Sequence, residues 1–139
     1  MNGNGLISWI LRSPLHGMLS NGMMLITVTG RKTGKKYTTP VGYFRKNGTL
    51  WVLTSRNRTW WKNLQGGAEV ALLLKRQPIS ALAEPALDPI TVQAQMREYI
   101  KQIPQAARSM QIRMEDGIPN AEDLEHVAEN RLFVRVTPQ

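Results

Sequence analysis

The sequence contains no cysteine, which removes disulfides, thiol nucleophiles and cysteine-held metals at a stroke. That absence fits a reducing cytoplasm, so a cytoplasmic location is expected. Histidine is nearly as scarce: His16 and His126 stand far apart, with no carboxylates at metal-ligand spacing, and no metal site is expected. A GxSxG nucleophile elbow is also missing. No apolar run approaches the roughly 20 residues that span a bilayer. The run from Leu6 to Leu11 is followed, not preceded, by positive charge at Arg12, and no small-residue cleavage site follows, so it does not read as a signal peptide. The most informative absence is of negative charge. Residues 1–68 hold ten Lys or Arg and no Asp or Glu, whereas residues 69–139 hold eight Lys or Arg and ten Asp or Glu. Such a split points to an anionic partner for the N-terminal half. A basic, solvated face is the plainer reading, and charge alone leaves both open.

With 139 residues, 42% of them hydrophobic and 20% charged, the chain reads as a single globular domain large enough to bury a core. The expected plan is an N-terminal helical segment over residues 1–22 and a barrel with helices over residues 23–139. Leu6, Trp9, Ile10, Leu15 and Leu19 share one side of the first helix, which Pro14 kinks or restarts. That helix packs on the barrel, lies against a membrane surface or folds over a pocket. Strands follow at Met23 to Thr29, Lys36 to Lys46 and Thr49 to Ser55, with Asn47-Gly48 closing a hairpin. Pro40 lacks an amide donor and marks an edge or a bulge. Thr59 caps a short helix, Trp60 to Gln65, which Gly66-Gly67 ends. Glu69 to Arg76 and Ile79 to Pro85 are strands joined by Gln77-Pro78. Asp88-Pro89 starts a helix, Pro104 ends it or begins another, and Asn120 caps a last one before a closing strand at Arg131 to Thr137. Successive hairpins with few crossover helices predict an α+β fold, mainly antiparallel, with its sheet closed or folded over.

The stretch around which this is arranged is Thr27 to Val41, TVTGRKTGKKYTTPV. Arg31, Lys32, Lys35 and Lys36 crowd one glycine-bounded turn with no acid nearby. Glycines and amides let a phosphate approach; Arg grips it bidentately and Lys acts as a point charge. The spacing is neither GxGxxG nor GxxxxGK[ST], and basic hairpin turns are common, so the turn alone is weak evidence. A second constellation, Thr54 and Ser55 with Trp60, Trp61 and Asn63, offers an apolar wall plus hydroxyls and an amide for a flat ring. Adjacent helical residues face about 100° apart, so at most one of the two tryptophans is expected in a pocket. No side-chain catalyst stands out, and hard chemistry would fall to a cofactor.

These segments taken together, LITVTGRKTG, TTPVGY, VLTS and TWWKNL, resemble the deazaflavin-dependent nitroreductase and quinone reductase family. The resemblance implies a split β-barrel similar to flavin-nucleotide-binding proteins, usually a homodimer, using the reduced deazaflavin coenzyme F-420 as a two-electron donor. It implies that Arg31, Lys32, Lys35 and Lys36, helped by Arg56 or Arg58, hold the anionic tail. The ring would lie near Thr39, Pro40, Val41, Thr54, Ser55, Trp61 and Asn63, and a quinone or nitro compound would take the hydride. Two departures stand out: Tyr37 occupies a position where members often carry Arg, and Arg56-Asn57-Arg58 is a short version of a longer glycine-containing loop. Both touch the cofactor site, which keeps FMN, or binding without turnover, as alternatives. A single-stranded nucleic-acid binder, with aromatics interleaved among cations, ranks below these, because the motifs gather at one pocket and not along a groove.

Overall fold

Runs of β-branched and apolar residues between turn signals become strands here, as their period dictates. A computed structural model describes residues 22–139; the predicted N-terminal helix, with its membrane or lid role, lies outside the described residues. The chain runs β1 (Met23–Thr29), β2 (Lys36–Lys46), β3 (Thr49–Ser55), a 3-10 helix (Trp60–Leu64), β4 (Ala68–Leu74) and β5 (Gln77–Ala86). Then follow α1 (Pro89–Gln102), α2 (Gln105–Ser109), β6 (Met114–Glu115), β7 (Ile118–Pro119), α3 (Ala121–Asn130) and β8 (Arg131–Pro138). Six strands close a barrel in the order β1-β2-β3-β8-β5-β4, antiparallel at every step. This is the expected mainly antiparallel α+β barrel.

Alternation along each strand sends one set of side chains inward. Met24, Ile26 and Val28 of β1 meet Leu50 and Val52 of β3, Leu72 of β4, Ala81 and Ala83 of β5, and Val134 and Val136 of β8, all buried. The other faces of β2, β3 and β8 carry Phe44, Trp51 and Phe133, which need a second cover. Helix α1 supplies it. Tyr99 stacks on Phe44 with ring centres 5.5 Å apart and planes at 12°, and Phe133 meets both edge-on at 5.7 and 6.3 Å. Such pairs add about 0.5–1.5 kcal/mol each beyond area burial.

The caps behave as their residue types require. Asp88 accepts from the Thr91 amide at 2.9 Å ahead of Pro89, and Asn120 accepts from Asp123 at 3.0 Å. Several local expectations need correction. The β4–β5 connection is Lys75-Arg76, both at positive φ (49° and 68°), and Gln77-Pro78 belongs to β5. Nothing in two long cationic residues signals a left-handed turn, because glycine and asparagine usually fill it. Thr59 makes no side-chain cap bond, and the helix after it is 3-10. The loop around Gly117 is a miniature hairpin of β6 and β7. Pro40 is edge-like as expected, for that half of β2 pairs with β1 alone.

Candidate functional site

The β1–β2 turn closes on itself first. Gly30 N–H donates to the Lys35 carbonyl at 2.7 Å, Gly34 N–H to the Gly30 carbonyl at 2.8 Å, and Lys35 N–H to Thr33 Oγ1 at 3.2 Å. A Cβ on Gly30 would stand 3.0 Å from the Tyr37 ring and 3.2 Å from Thr33 Oγ1, so glycine lets that ring lie on the turn. The turn is then fastened to the 3-10 helix. Arg31 N–H donates to Asn63 Oδ1 at 3.1 Å, Asn63 Nδ2 donates to the Trp60 carbonyl at 3.1 Å, and the Arg31 guanidinium donates to the Gln65 carbonyl. Most of the turn's amides are therefore spent internally. Only those of Lys32 and Thr33 carry no hydrogen bond among the described residues, so side chains must supply most of any grip on an anion.

Between turn and helix lies a hollow of about 570 Å³, within the size range of small-ligand sites. Arg31, Lys32 and Lys62 line it, as do Tyr37 and Trp60, with Thr33, Thr59 and Asn63 between them. No carboxylate faces it among the described residues, so the cations are uncompensated there. Trp60 is held by its indole N–H, which donates to the buried Thr54 Oγ1 at 3.2 Å. Cations beside flat aromatic walls suit a ligand with an anionic tail and a planar ring, so the donor set fits a phosphorylated heterocyclic cofactor.

The structure gathers Arg31, Lys32 and Asn63 at this hollow. It places the other expected residues elsewhere. Lys35 is exposed outside it, and Lys36 lines a separate depression of about 200 Å³ on the outer face of β1 and β4, beside Glu69. Ser55 and Arg56 line another of about 250 Å³ against α3. The Arg56 guanidinium is occupied there, donating to the carbonyls of Ala128 at 3.1 Å and Leu87 at 2.7 Å. Thr39, Pro40 and Val41 lie on the half of β2 that pairs with β1 alone, beyond the end of its ladder with β3, and line none of these hollows. The β2–β3 ladder ends at Gly42 opposite Leu53, while β3 runs on beside β8 to Ser55. Of these residues, Thr54 touches the wall of the hollow, through its hydrogen bond from the Trp60 indole.

Of the two tryptophans, Trp60 forms the pocket wall; Trp61 lies in the core, its indole N–H buried without a partner among the described residues. The 3-10 geometry is the reason. Three residues per turn set Trp60 and Asn63 on one side and Trp61 and Leu64, both buried, on the other. Lys62, Thr33 and Thr59 were not among the expected site residues, and Tyr37 was marked there only as a departure from the family's Arg. A three-residue period read from Leu64 would have singled out Trp60, but nothing local marks Lys62 as facing the turn.

Residues 13–121 match the F420H2-dependent quinone reductase family. The chain belongs to that family. Its members are F-420-dependent reductases, so this chain is an oxidoreductase by descent. The barrel is similar to those of a pyridoxamine 5'-phosphate oxidase-like protein from Listeria innocua (TM-score 0.56, 13% identity, 96% of this chain and 94% of that one). It also resembles an F420-H2 dependent reductase (0.55, 15%, 84% and 95%) and a structure described as a domain-swapped dimer (0.55, 15%, 84% and 81%). At such identities these likenesses speak to the fold. The family match ends at Ala121, inside the start of α3, so β8, which completes the barrel, lies beyond it.

Proposed function

We propose that this chain is a reductase that binds coenzyme F-420 at the hollow between the β1–β2 turn and the 3-10 helix. The acceptor is a quinone, with a nitro compound as the alternative. The observation that carries the reading is the meeting of Arg31, Lys32 and Lys62 with Tyr37 and Trp60 around one cavity. When bound, the reduced deazaflavin would supply a hydride, two electrons with one proton, to an acceptor at its open face. The protein's contribution is positional. Lys32, Lys62 and the free donors of Arg31 hold the anionic tail. Tyr37 and Trp60 flank planar parts of the ligand, and Thr54 fixes the Trp60 indole. Asn63 keeps turn and helix at a constant separation, so the cations and the aromatic walls act as one unit. The family name supports a quinone acceptor, and a homodimer is proposed from the domain-swapped neighbour.

The test is an anaerobic assay with reduced F-420 and a soluble quinone, run beside parallel binding titrations of F-420 and FMN. Stoichiometric F-420 binding with quinone-dependent oxidation supports the reading. Tight FMN binding with no F-420 binding replaces it by a flavin reductase, and stoichiometric binding of neither removes both.

A further inference from the structure

On another part of the surface, α1 and the β6–β7 hairpin enclose a second hollow of about 590 Å³ that the reductase reading does not use. Its residues are separate from those around the turn. One wall is a stripe of α1, where Ala94, Arg97, Glu98 and Lys101 recur at helical spacing on one side. Lys46 at the end of β2 adds a third cation, and the lone acid is shared: Glu98 lies 3.8 Å from Lys46 and 3.9 Å from Lys101. Arg97 has no ion pair among the described residues. The lining itself carries three cations against one carboxylate, the hairpin acids Glu115 and Asp116 lying outside it.

The opposite wall is apolar and held in place. Met114 and Ile118, 44% and 67% exposed, are two of the five large hydrophobic residues left exposed among the described residues. They stand on strands of two residues each, which are too short to persist unaided. Side chains fix the hairpin base. Arg113 donates to Asp123 through Nε at 2.9 Å and Nη2 at 3.2 Å, its amide donates to the same carboxylate at 2.8 Å, and Asn120 Nδ2 donates to Glu115. The chain thus anchors a hairpin that holds apolar side chains in water, facing a cationic helix stripe. Folding alone gives no reason for that arrangement.

We infer that this hollow is a binding site for a single anion-headed aliphatic molecule. Its chain would lie on Met114, Ile118 and Pro104, and its carboxylate or phosphate head would meet Arg97, Lys101 and Lys46. The cavity volume suits one molecule, and charge complementarity selects the head.

The full-length protein is titrated calorimetrically with dodecyl phosphate below its micelle concentration, beside inorganic phosphate, neutral dodecyl maltoside, and vesicles of phosphatidylglycerol or phosphatidylcholine. One-to-one binding of dodecyl phosphate is expected, at least tenfold tighter than either inorganic phosphate or the neutral amphiphile. The double variant Arg97→Glu/Lys101→Glu and the single variant Ile118→Ser should each weaken it at least tenfold while F-420 affinity stays unchanged. Both variants alter exposed side chains, and a thermal melt verifies that they remain folded. Dodecyl phosphate binding that survives both variants overturns the assignment. So does binding to phosphatidylglycerol vesicles without binding of the monomeric amphiphile, which would make this face a membrane surface.

Discussion

Replacing Asn63 with Ala removes the tie between the basic turn and the tryptophan wall. Two hydrogen bonds are lost, both at 3.1 Å: the Arg31 amide to Oδ1, and Nδ2 to the Trp60 carbonyl. At about 0.5–1.5 kcal/mol each, less for the one at the exposed turn, the stability loss should be about 1–2 kcal/mol. In a domain of this size that is a fall of about 3–8 °C in melting temperature. The larger effect should fall on ligand binding. With turn and helix untied, Lys32 and the Trp60 ring no longer face each other at a fixed distance, and positional errors of this kind cost affinity steeply. F-420 affinity is expected to drop at least tenfold, about 1.4 kcal/mol. Fluorescence titration beside a thermal melt reads both quantities, and Asn57→Ala, an exposed turn residue outside the hollow, is the control. Lower melting temperature with unchanged F-420 affinity would show that Asn63 only stabilises the fold, and would refute the positioning argument.

The tryptophans should divide. Trp60→Ala is expected to weaken F-420 binding and, by leaving the Thr54 hydroxyl without its donor, to cost about 1–3 kcal/mol of stability. Trp61→Ala should cost about 3–5 kcal/mol by chemical denaturation, as a core aromatic does, and leave F-420 binding nearly unchanged; the reverse pattern of affinities would overturn the placement of the two rings. On the acid side, the Asp123 carboxyl is held below its ordinary value of 3.8 by its hydrogen bonds from Arg113, and Asp88 below the same value by the Thr91 amide. Folded values depressed in this way mean stability that is present above pH 3.8 and lost as pH falls further toward the folded values. Asp123→Asn should therefore flatten the pH dependence of the melting temperature below about pH 4; an unchanged acid limb would show that the Arg113 pair contributes nothing.

The barrel strands were legible because their signals are local: β-branched runs, the Asn47-Gly48 turn, the Asp88 and Asn120 caps. Lys75-Arg76 was not, since its left-handed turn is imposed by the pairing of β4 with β5 and not by residue type. At the site, the glycine-bounded turn and Asn63 were visible in the sequence, and Arg31 and Lys32 do reach the hollow. What sequence could not show was direction. Lys35 and Lys36 belong to the same charge cluster, yet both lie outside the hollow; for Lys36 the reason is alternation at the start of β2, which carries it to the outer face while the neighbouring Tyr37 lines the hollow. Arg56 is drawn away by carbonyls at the ends of β5 and α3, a tertiary demand that no nearby residue announces. The choice between Trp60 and Trp61 turned on whether five residues coil as 3-10 or α.

Replacing Arg31 and Lys32 together with Ala, and titrating the variant and the wild type with F-420 at low and moderate salt, tests the central claim most directly. Each charge-assisted contact to a phosphate contributes about 1.5–3 kcal/mol. A wild type that binds one equivalent should therefore lose well over tenfold in affinity in the variant, with a weaker salt dependence and a melting temperature lowered by no more than the loss of the exposed Arg31–Gln65 hydrogen bond accounts for. Equal affinity in the two proteins would mean that the anionic tail is held elsewhere.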